Sequence, residues 1–597
     1  MEEIIRFYKQ QSEALQTEIN ALSRRIHLVG TIRLLLVIGA AIAIYLFREQ
    51  SWTVLTGIAL VFIVPFAALM HVHNRLFWKR SYAETKQQLC QSELKGIDYD
   101  FSDFDGAADE TDAEHSFSLD LDLFGDRSLF QSMNRTVTLG GRKRLAAWLK
   151  SPLDQKDAIL RRQTAVRELA AHPERFQHFY ALGKMKQGKT EDYRNLARLS
   201  EGTAFFLNSN VWRALLWIVP AGWIVLIGGN LMGWIAESWI GLYLVVALAI
   251  AYARAGQVAK LYAQVDKIDI ILSTYSDLLR TLEDEHFEAA ELQAIRQKLW
   301  NGERKASDSL KTLSRHIGAL NQRFSLAGLI LNILYLRDTR QAIALEQWKQ
   351  RHREDTTRWL DALADADAYY SLGNFAFNHP DYTYPVIAEH YFQMQGKALG
   401  HPLLRRDVCV KNDVEIPTCP WFLIITGANM AGKSTYLRTV GVNYLLACIG
   451  VPVCADSLTV YPAHLVTSLR TSDSLAGNES YFFAELKRLK MIIDRLQSGE
   501  RLFIILDEIL KGTNSADKQR GSLALMKQLI ALQSCGIIAT HDLVLGTLEG
   551  EFPNRIRNYR FEADIHDNEL TFSYRLREGV AQNMNACFLM RKMGITV

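Results

Sequence analysis

The chain has 597 residues, which is too long for one hydrophobic core and predicts several domains. Lysine plus arginine number 68 and aspartate plus glutamate number 65, so the net charge of +3 is too even to indicate nucleic-acid binding by itself. The seven cysteines are scattered without a CxxC pair, which argues against a zinc site or a disulfide framework and is typical of reduced thiols in a cytosolic environment.

Long uncharged stretches interrupt the first half of the chain. A mixed-charge segment, residues 1–27, is predicted to be an N-terminal helix, and four apolar runs follow it in two pairs: Leu34–Phe47, Trp52–Val72, Ala214–Ala236 and Ser238–Ala253. A membrane-spanning helix needs about 20 apolar residues. The second and third runs reach that length alone, whereas the first must include Leu28 and tolerate Arg33, and the fourth must extend toward Arg254. Buried core helices are the alternative, and the short fourth run favours it most.

Basic residues flank each pair of apolar runs and predict how the pair is oriented in the membrane. They are Arg24, Arg25 and Arg33 before the first run, Arg75, Lys79 and Arg80 after the second, and Arg254 and Lys260 after the fourth. By the positive-inside rule, residues 28–80 and 214–255 form two transmembrane hairpins and leave the rest of the chain in the cytoplasm. A signal peptide is not expected, because a charged helix precedes the first run. The sequence therefore predicts a multi-pass protein of the inner (cytoplasmic) membrane, with four transmembrane helices in the lipid bilayer.

The remaining segments predict a helical region followed by an α/β domain. Residues 81–122 are predicted to be a helix and an acidic linker, and residues 123–213 the first part of a helical core domain. We expect Asp98–Asp122 to be solvated and poorly ordered because it is rich in acids; docking on a basic partner is the alternative. Residues 376–597 are predicted to be the α/β domain. Residues 256–375, before it, are predicted to contain long amphipathic lever helices at Gln257–Trp300, Arg304–Gln322 and Gln341–Ala366.

A glycine-rich loop lies between an apolar strand and a helical pattern in the last third of the chain. The strand pattern Trp421–Ile425 is followed by Thr426-Gly427-Ala428-Asn429-Met430-Ala431-Gly432-Lys433-Ser434-Thr435. Strand, glycine loop and helix in this order are the context of a phosphate-binding loop, whose backbone N–H groups cradle the phosphates. Lys433 is predicted to reach the β- and γ-phosphates and Ser434 to hold Mg²⁺. We therefore predict that Gly427–Thr435 binds ATP.

Two further apolar strands end in side chains suited to ATP hydrolysis. Leu502–Leu506 is followed by Asp507 and Glu508, and Gly536–Thr540 is followed by His541. Because the carboxyl ends of parallel strands meet at one edge of a sheet, we expect these groups beside the glycine loop. Asp507 is predicted to hold Mg²⁺ with the loop serine, Glu508 to act as general base, and His541 to sense the γ-phosphate and its attacking water. The predicted catalytic residues are Lys433, Glu508 and His541.

A polar segment between the glycine loop and the acids has two interpretations. Ser474–Leu486 reads as a small loop that opens a helix, and a helix N-terminus attracts anions. In a single chain this pattern describes a capped helix. If two ATPase domains face each other, Ser480 would instead contact the γ-phosphate bound to the other copy.

These motifs resemble those of the MutS mismatch-repair ATPases, which belong to the ABC-type ATPases. The resemblance is carried by Thr426–Arg438 with its Asn429-Met430 pair, Ser480–Leu486, Asp507–Ile509 followed by Gly512-Thr513, Ala539–His541 and Tyr574–Ala581. A looser likeness to the family's helical core begins near Leu123. The resemblance implies an α/β P-loop ATPase domain of the ABC/MutS type at the C-terminus, preceded by an all-α core and lever domain. It also implies an ATP-hydrolysing homodimer with composite sites and, from the family alone, DNA as a partner.

Two features depart from the family pattern. The segment before residue 81 reads as a membrane hairpin behind a short helix, and Asn514–Gly521 reads as a loop longer than the family's. We therefore expect a membrane-anchored MutS-like ATPase that lacks the mismatch-reading domain. One alternative is an ATP-driven signalling or scaffolding protein that acts on a protein partner. A transport ATPase has less support, because the apolar runs contain almost no ionisable side chain to mark a substrate path.

Overall fold

The computed structural model describes residues 1–185, 206, 209–265, 268–300, 302, 304–428, 431–470, 481–511, 514–566 and 569–582. Up to residue 378 the described chain forms helices and their connections, and every named strand comes later. The helices are α1 (Glu2–Leu46), α2 (Trp52–Ile97), α3 (Leu129–Met133), α4 (Leu139–Lys150), α5 (Lys156–Ala171), α6 (Pro173–Met185), α7 (Asn210–Leu231), α8 (Glu237–Tyr252), α9 (Ala255–Val265), α10 (Ile268–Asp284), α11 (Ala290–Lys298), α12 (Ala306–Asn321), α13 (Leu326–Tyr335), α14 (Arg337–Arg351) and α15 (Arg353–Asn378).

α1 and α2 form one long antiparallel hairpin. They contain 45 and 46 residues and are joined by residues 47–51. Gln87 donates to Gln16 at 2.8 Å, and the Arg33 guanidinium lies 5.1 Å from the centre of the Phe66 ring, which fixes the register of the two helices. The helices run unbroken across the predicted boundaries after residues 27 and 80, since no proline lies near either boundary.

The predicted apolar runs lie mainly in helices, and the third run continues past the end of α7 at Leu231. By length and composition, three described helices (α1, α2 and α7) are long and apolar enough to cross a membrane. Two bent pairs raise that number to as many as five if each pair counts as one span. The first pair joins α8 to Ala255–Tyr262 with a bend of 42°, and the second joins α12 to α13 with a bend of 104°. Large apolar side chains on these helices, such as Val61 on α2 and Ile224 on α7, are exposed.

The lever region is divided more finely than the sequence predicts. The predicted helix Gln257–Trp300 is α9, α10 and α11 in the structure, and the predicted helix Gln341–Ala366 is divided between α14 and α15. The segment just before α11 is held by the Glu168 carboxylate on α5, which accepts the backbone N–H groups of Glu288 (3.0 Å) and Ala289 (2.6 Å). This contact comes from a distant part of the chain, so local sequence does not reveal it. The apolar helix α13 has no counterpart among the predicted helices.

The acidic segment is packed against the protein, so the prediction of a solvated, poorly ordered linker over Asp98–Asp122 is wrong. Its side chains Phe104, Phe117 and Leu121 are buried. Its acids form ion pairs with basic side chains that are distant in sequence: Asp105 and Asp109 with Arg142, Glu110 with Lys150, and Asp122 with Arg470. The segment therefore joins the helical core to the α/β domain, and the basic groups on which it docks belong to the same chain.

The α/β domain contains two sheets and a β-hairpin among the described residues. The larger sheet has the strand order β12-β9-β4-β8-β7-β6 and is parallel except for β12; the smaller has the order β1-β5-β2-β3. The strands of the domain are β1 (Val386–Ile387), β2 (Met394–Leu399), β3 (Asn412–Ile416), β4 (Trp421–Gly427), β5 (Ser457–Val460), β6 (His464–Ser468), β7 (Leu502–Asp507), β8 (Cys535–Thr540), β9 (Ile556–Phe561), β10 (Ala563–His566), β11 (Glu569–Phe572) and β12 (Arg577–Glu578), and its helices are α16 (Lys433–Cys448), α17 (Tyr481–Gln497), α18 (Ser515–Ala531) and α19 (Leu548–Glu551).

Strand β4 lies at the centre of the larger sheet and is buried on both faces. Phe422 and Ile424 pack in the core that includes α17 and α18, whereas Leu423 and Ile425 pack in the core that includes α16. This alternation follows from the two-residue period of a strand, and burial on both faces is typical of parallel sheets. The helices on either side hold β4, β7 and β8 in register, so their carboxyl ends meet at one edge.

Candidate functional site

The glycine loop connects β4 to α16. β4 ends at Gly427 and α16 begins at Lys433, as the predicted order of strand, loop and helix requires. A side chain at Gly427 would meet the backbone carbonyl of Phe561 on β9. Gly432 has a φ of 106°, a backbone conformation that residues with a Cβ rarely adopt. The path of the loop therefore depends on both glycines.

Lys433 points back into the curve of this loop. Its Nζ donates to the carbonyl oxygens of Gly427 (2.7 Å) and Ala428 (2.9 Å) and lies 3.4 Å from Nε2 of His541. Burial lowers the pKa of Lys433 to about 8, because a low-dielectric environment disfavours the charged form. The ammonium group is thus held among acceptors of its own loop.

Ser434 and Asp507 form a hydrogen-bonded pair beside the loop. The Ser434 hydroxyl donates to Oδ2 of Asp507, at the end of β7, at 2.5 Å. Oδ1 of Asp507 is buried and has no hydrogen-bond partner within the part of the chain that the structure describes. Burial raises the pKa of Asp507. A hydroxyl oxygen next to a carboxylate with a spare buried oxygen is a donor set that fits a hard divalent cation such as Mg²⁺.

Glu508 and His541 are held together by an ion-pair contact. Nε2 of His541 lies 2.6 Å from Oε1 of Glu508, and Nζ of Lys511 lies 3.3 Å from Oε2. The hydrogen bond with His541 lowers the pKa of Glu508 to about 2, with a further contribution from the positive charge of Lys511. Glu508 has a φ of 48°, and its backbone N–H donates to the Ala539 carbonyl at 2.9 Å. The carboxylate is therefore ionised and fixed between two cationic or protonatable side chains.

A cavity of about 400 Å³ opens beside the loop. That size is in the range of small-molecule sites. His401, Asn412 and Tyr574 line it and were not predicted as site residues. The side-chain amide of Asn412 donates to the Tyr574 carbonyl (3.0 Å) and accepts the Leu576 N–H (2.8 Å), which fixes the wall of the cavity. Burial lowers the pKa of His401 to about 4, so its imidazole is neutral. The predicted loop residues that also line this cavity are Ala428, Gly432, Lys433, Ser434 and Thr435.

Several predicted positions cannot be compared with the structure. Asn429, Met430, Ser480, Gly512 and Thr513 lie outside the described residues. Ala431, within the loop, is described and is buried.

The helices that follow these positions carry contacts that sequence reasoning missed. The Glu485 carboxylate on α17 accepts the backbone N–H groups of Leu510 (2.5 Å) and Lys511 (3.1 Å), which ties α17 to the segment after Glu508. The predicted long loop Asn514–Gly521 is wrong. α18 begins at Ser515, because the Asn514 side chain accepts the Asp517 N–H and caps the helix. An asparagine three residues before an acid is a cap pattern that sequence reasoning could have used.

Comparison with known proteins agrees with this geometry. Residues 423–593 match the family model of MutS domain V. This range includes the strand, loop and helix around Lys433 and the acids that follow β7. The MutS resemblance of the motifs is therefore confirmed for the α/β domain, and the mixed sheets described above fit MutS domain V.

Similarity to MutS proteins extends into the helical region at lower identity. The chain is 30% identical over 304 residues to the DNA mismatch repair protein MutS of Thermotoga maritima, which covers 50% of this chain and 36% of the relative. It is 26% identical over 502 residues to the DNA mismatch repair protein MutS of Thermus thermophilus, covering 77% of this chain and 58% of the relative. For MutS of Granulibacter bethesdensis the identity is 25% over 528 residues, covering 78% and 54%. The chain thus spans between 36% and 58% of the length of these curated relatives.

Proposed function

We propose that this chain is a MutS-like ATPase that binds and hydrolyses ATP with Mg²⁺. The observation that carries the proposal is the cluster of Lys433, Ser434, Asp507, Glu508 and His541 at the carboxyl ends of β4, β7 and β8. A cavity of about 400 Å³ next to that cluster is large enough for a nucleotide. The match of residues 423–593 to MutS domain V supports the same activity.

Each side chain in the cluster has a distinct part in the proposed reaction. Ser434 and Asp507 would hold Mg²⁺, which neutralises charge on the phosphate oxygens when it is bound. Lys433 would exchange its two carbonyl partners for phosphate oxygens. Glu508, released from His541, would accept a proton from the attacking water, and His541 would then hold the terminal phosphate and that water in position. In the structure these side chains are bonded to one another or to their own loop. The groups that catalysis would use are therefore occupied by internal partners.

A second copy of the chain is part of this proposal. In the MutS resemblance, the segment of Ser480 acts on nucleotide bound to the opposite subunit. α17 begins directly after this segment and is tied to Lys511 through Glu485. We propose a homodimer in which ATP is enclosed between the domains, so that Ser480 of one copy completes the site of the other.

We propose that the protein is anchored in the inner membrane by α1–α2 and α7–α8, with the ATPase domain in the cytoplasm. The exposed apolar side chains of these helices support this, because large apolar patches on a protein mark contact with lipid or with another protein. Arg33 lies within the first apolar stretch, and its guanidinium lies against the Phe66 ring. The four apolar runs otherwise contain almost no ionisable side chain. A transport path would be marked by more such groups, so a transport ATPase has less support.

DNA is the proposed partner, on the basis of the MutS relatives. The test is ATP turnover and binding by the detergent-solubilised full chain, with and without duplex, mismatched and branched DNA. We expect stimulation of turnover and affinity that falls as salt rises, because phosphate contacts release counterions. If the chain turns over ATP but DNA neither stimulates turnover nor binds in a salt-dependent way, DNA is not the partner. The ATPase proposal would then stand without it.

One set of contacts favours a second function, ATP-driven signalling to a protein partner at the membrane. Glu93 on α2 accepts hydrogen bonds from Asn374 and Asn378 on α15, both at 2.8 Å, and Tyr8 on α1 donates to Asn378 at 2.8 Å. Movement of α15 would therefore reach the membrane hairpin. Spin labels at Thr357, an exposed residue of α15, and at Ser51 report this: a distance that changes on addition of ATP supports signalling, and a constant distance argues against it.

A further inference from the structure

Helix α13, which lies outside the predicted membrane helices, exposes a band of apolar side chains. It has 10 residues and follows α12 after a bend of 104°. Its exposed large apolar side chains are Leu326, Leu329, Ile330, Leu331, Leu334 and Tyr335. A soluble helix of this length normally buries its apolar face and exposes a polar one. The exposed face of α13 therefore needs an apolar neighbour.

The other face of α13 packs on the proposed membrane hairpin α7–α8. The indole N–H of Trp223 on α7 donates to the Ile333 carbonyl at 3.3 Å, and Asn332 and Gly328 are buried. Trp223 lies nine residues after Ala214, where the apolar part of α7 begins. At 1.5 Å per residue, Ile333 is about 14 Å along that apolar stretch, close to half of a bilayer core of about 30 Å. α13 thus lies beside the first half of that apolar stretch.

The end of α13 carries the features of a membrane–water boundary. Arg340, one turn into α14, donates to the Leu216 carbonyl of α7 at 2.8 Å. Its guanidinium also lies 3.9 Å from the Tyr335 ring centre and 5.6 Å from that of Trp217. Arginine with flanking tyrosine and tryptophan is typical of the headgroup region, where the charge reaches water and the rings lie at the interface.

The exposed face of α13 continues the exposed surface of α7. Trp217, Ile218, Ile224 and Val225 on α7 are exposed, and the rings of Trp217 and of Tyr335 on α13 flank the same Arg340 guanidinium. If α7 is surrounded by acyl chains, the same acyl chains reach α13, because the two helices are in contact. Lipid acyl chains are then the apolar neighbour of the exposed side chains of α13.

We propose that α13 is a third membrane-embedded element, which enters and leaves the cytoplasmic leaflet from the same side and contacts lipid acyl chains through Leu326, Ile330 and Leu334. This inference rests on the proposed insertion of α7–α8. It gives the lever helices α12 and α14, on either side of α13, a direct attachment to the bilayer, so that their movement would tilt α13 in the lipid.

A photocrosslinking residue at Ile330 tests the proposal in the full chain. Ile330→p-benzoylphenylalanine is reconstituted in vesicles of phosphatidylethanolamine and phosphatidylglycerol and irradiated. Ile227→p-benzoylphenylalanine on α7 is the positive control, and the exposed Leu160 on α5, outside the proposed membrane region, is the negative control. We expect the peptides containing positions 330 and 227 to gain the mass of one phospholipid and the peptide containing position 160 to gain none.

The controls separate the two proposals. Lipid on position 227 but not on 330, or a crosslink from 330 to a second copy of the chain, would overturn the inference for α13 and leave the membrane anchor in place. No lipid on either position would overturn the membrane anchor and α13 with it. Equal lipid on positions 330 and 160 would also overturn the inference, because exposure alone would explain the crosslink.

Discussion

At the scale of single residues, the groups of the proposed ATP site are paired with one another. Lys433 is bonded to its own loop, Ser434 to Asp507, and Glu508 to His541. Each pair satisfies a buried or half-buried polar group that would otherwise lack a partner. ATP and Mg²⁺ must therefore replace internal partners, and their affinity is the difference between the new and the old contacts.

Lys433 gives nucleotide binding a dependence on pH. Burial lowers its pKa to about 8, and phosphates beside the ammonium would raise it. Above that pH, ATP binding is then accompanied by protonation of the Lys433 amine. The affinity is expected to be constant below pH 8 and to fall as pH rises through this value, by up to about tenfold per unit. Calorimetric titration between roughly pH 7 and pH 9.5 measures this, and an affinity that is constant throughout would contradict the assigned role.

The residue-level assignments show what sequence could predict and what it could not. Asp507, Glu508 and His541 were predictable because parallel strands place their carboxyl ends at one edge. Asn412 and Tyr574 were not, because they reach the cavity through a hydrogen bond between residues 162 positions apart. A contact of that kind leaves no periodic pattern in the sequence.

At the scale of elements, the acidic segment connects the helical core to the α/β domain. Asp120 is buried and accepts the Thr467 hydroxyl (2.5 Å) and the Arg470 N–H (2.8 Å) at the end of β6. The sequence of the acidic segment predicts a solvated linker because the acids are visible in the local sequence. The basic side chains that pair with those acids are distant in sequence, so the local pattern does not reveal them. The short apolar helix α13 was missed for a related reason: 10 residues are too few for a membrane span, and its neighbour α7 is distant in sequence.

Replacement of Asp120 tests that connection. Asp120→Ala leaves the Thr467 hydroxyl and the Arg470 N–H without their acceptor, and we expect a loss of about 1–3 kcal/mol in the free energy of unfolding. The control is Asp98→Asn, an exposed acid in the same segment, for which the change should be near zero. Denaturant unfolding in detergent measures both. Equal stability of the two variants would mean that the segment contributes nothing to holding the domains.

The buried Glu93–Arg135 pair is a second connection between elements. Both side chains are almost fully buried, and the two atoms Nε and Oε1 are 2.6 Å apart. Glu93→Gln leaves a buried guanidinium without a counter-charge, which typically costs about 3–5 kcal/mol. Glu84→Gln on the same helix removes a partly exposed pair with Arg80 and should cost at most about 1 kcal/mol. Melting temperatures in detergent distinguish the two, and an equally small effect of both would contradict the assigned importance of the buried pair.

At the scale of the whole molecule, the elements form a continuous path from the proposed nucleotide site to the proposed membrane helices. α15 is bonded to the base of the α1–α2 hairpin, the acidic segment is bonded to β6, and α13 joins the lever helices to α7. Such a path can transmit a change at the ATP site only if its elements have two arrangements that ATP favours differently. The proposed closure of a dimer supplies those two arrangements.

The proposed topology has a direct test. An epitope tag after Gln50, in the turn between α1 and α2, should bind antibody added to intact spheroplasts, from which the outer envelope has been removed, because both helices would cross the inner membrane. A tag before Met1 should bind only after the inner membrane is permeabilised, which controls for spheroplast integrity. Protection of the Gln50 tag in intact spheroplasts would contradict a spanning hairpin and favour helices packed on another protein.

The measurement that tests the central claim most directly is ATP turnover by the purified full chain and its Glu508→Gln variant. Loss of the general base should leave ATP binding intact and lower hydrolysis by about 10²- to 10⁴-fold, with the variant accumulating as an ATP-bound dimer. Glu551→Gln, which removes an exposed acid paired with Lys527, should hydrolyse ATP at the wild-type rate. If Glu508→Gln also turns over ATP at the wild-type rate, the proposed catalytic site is wrong.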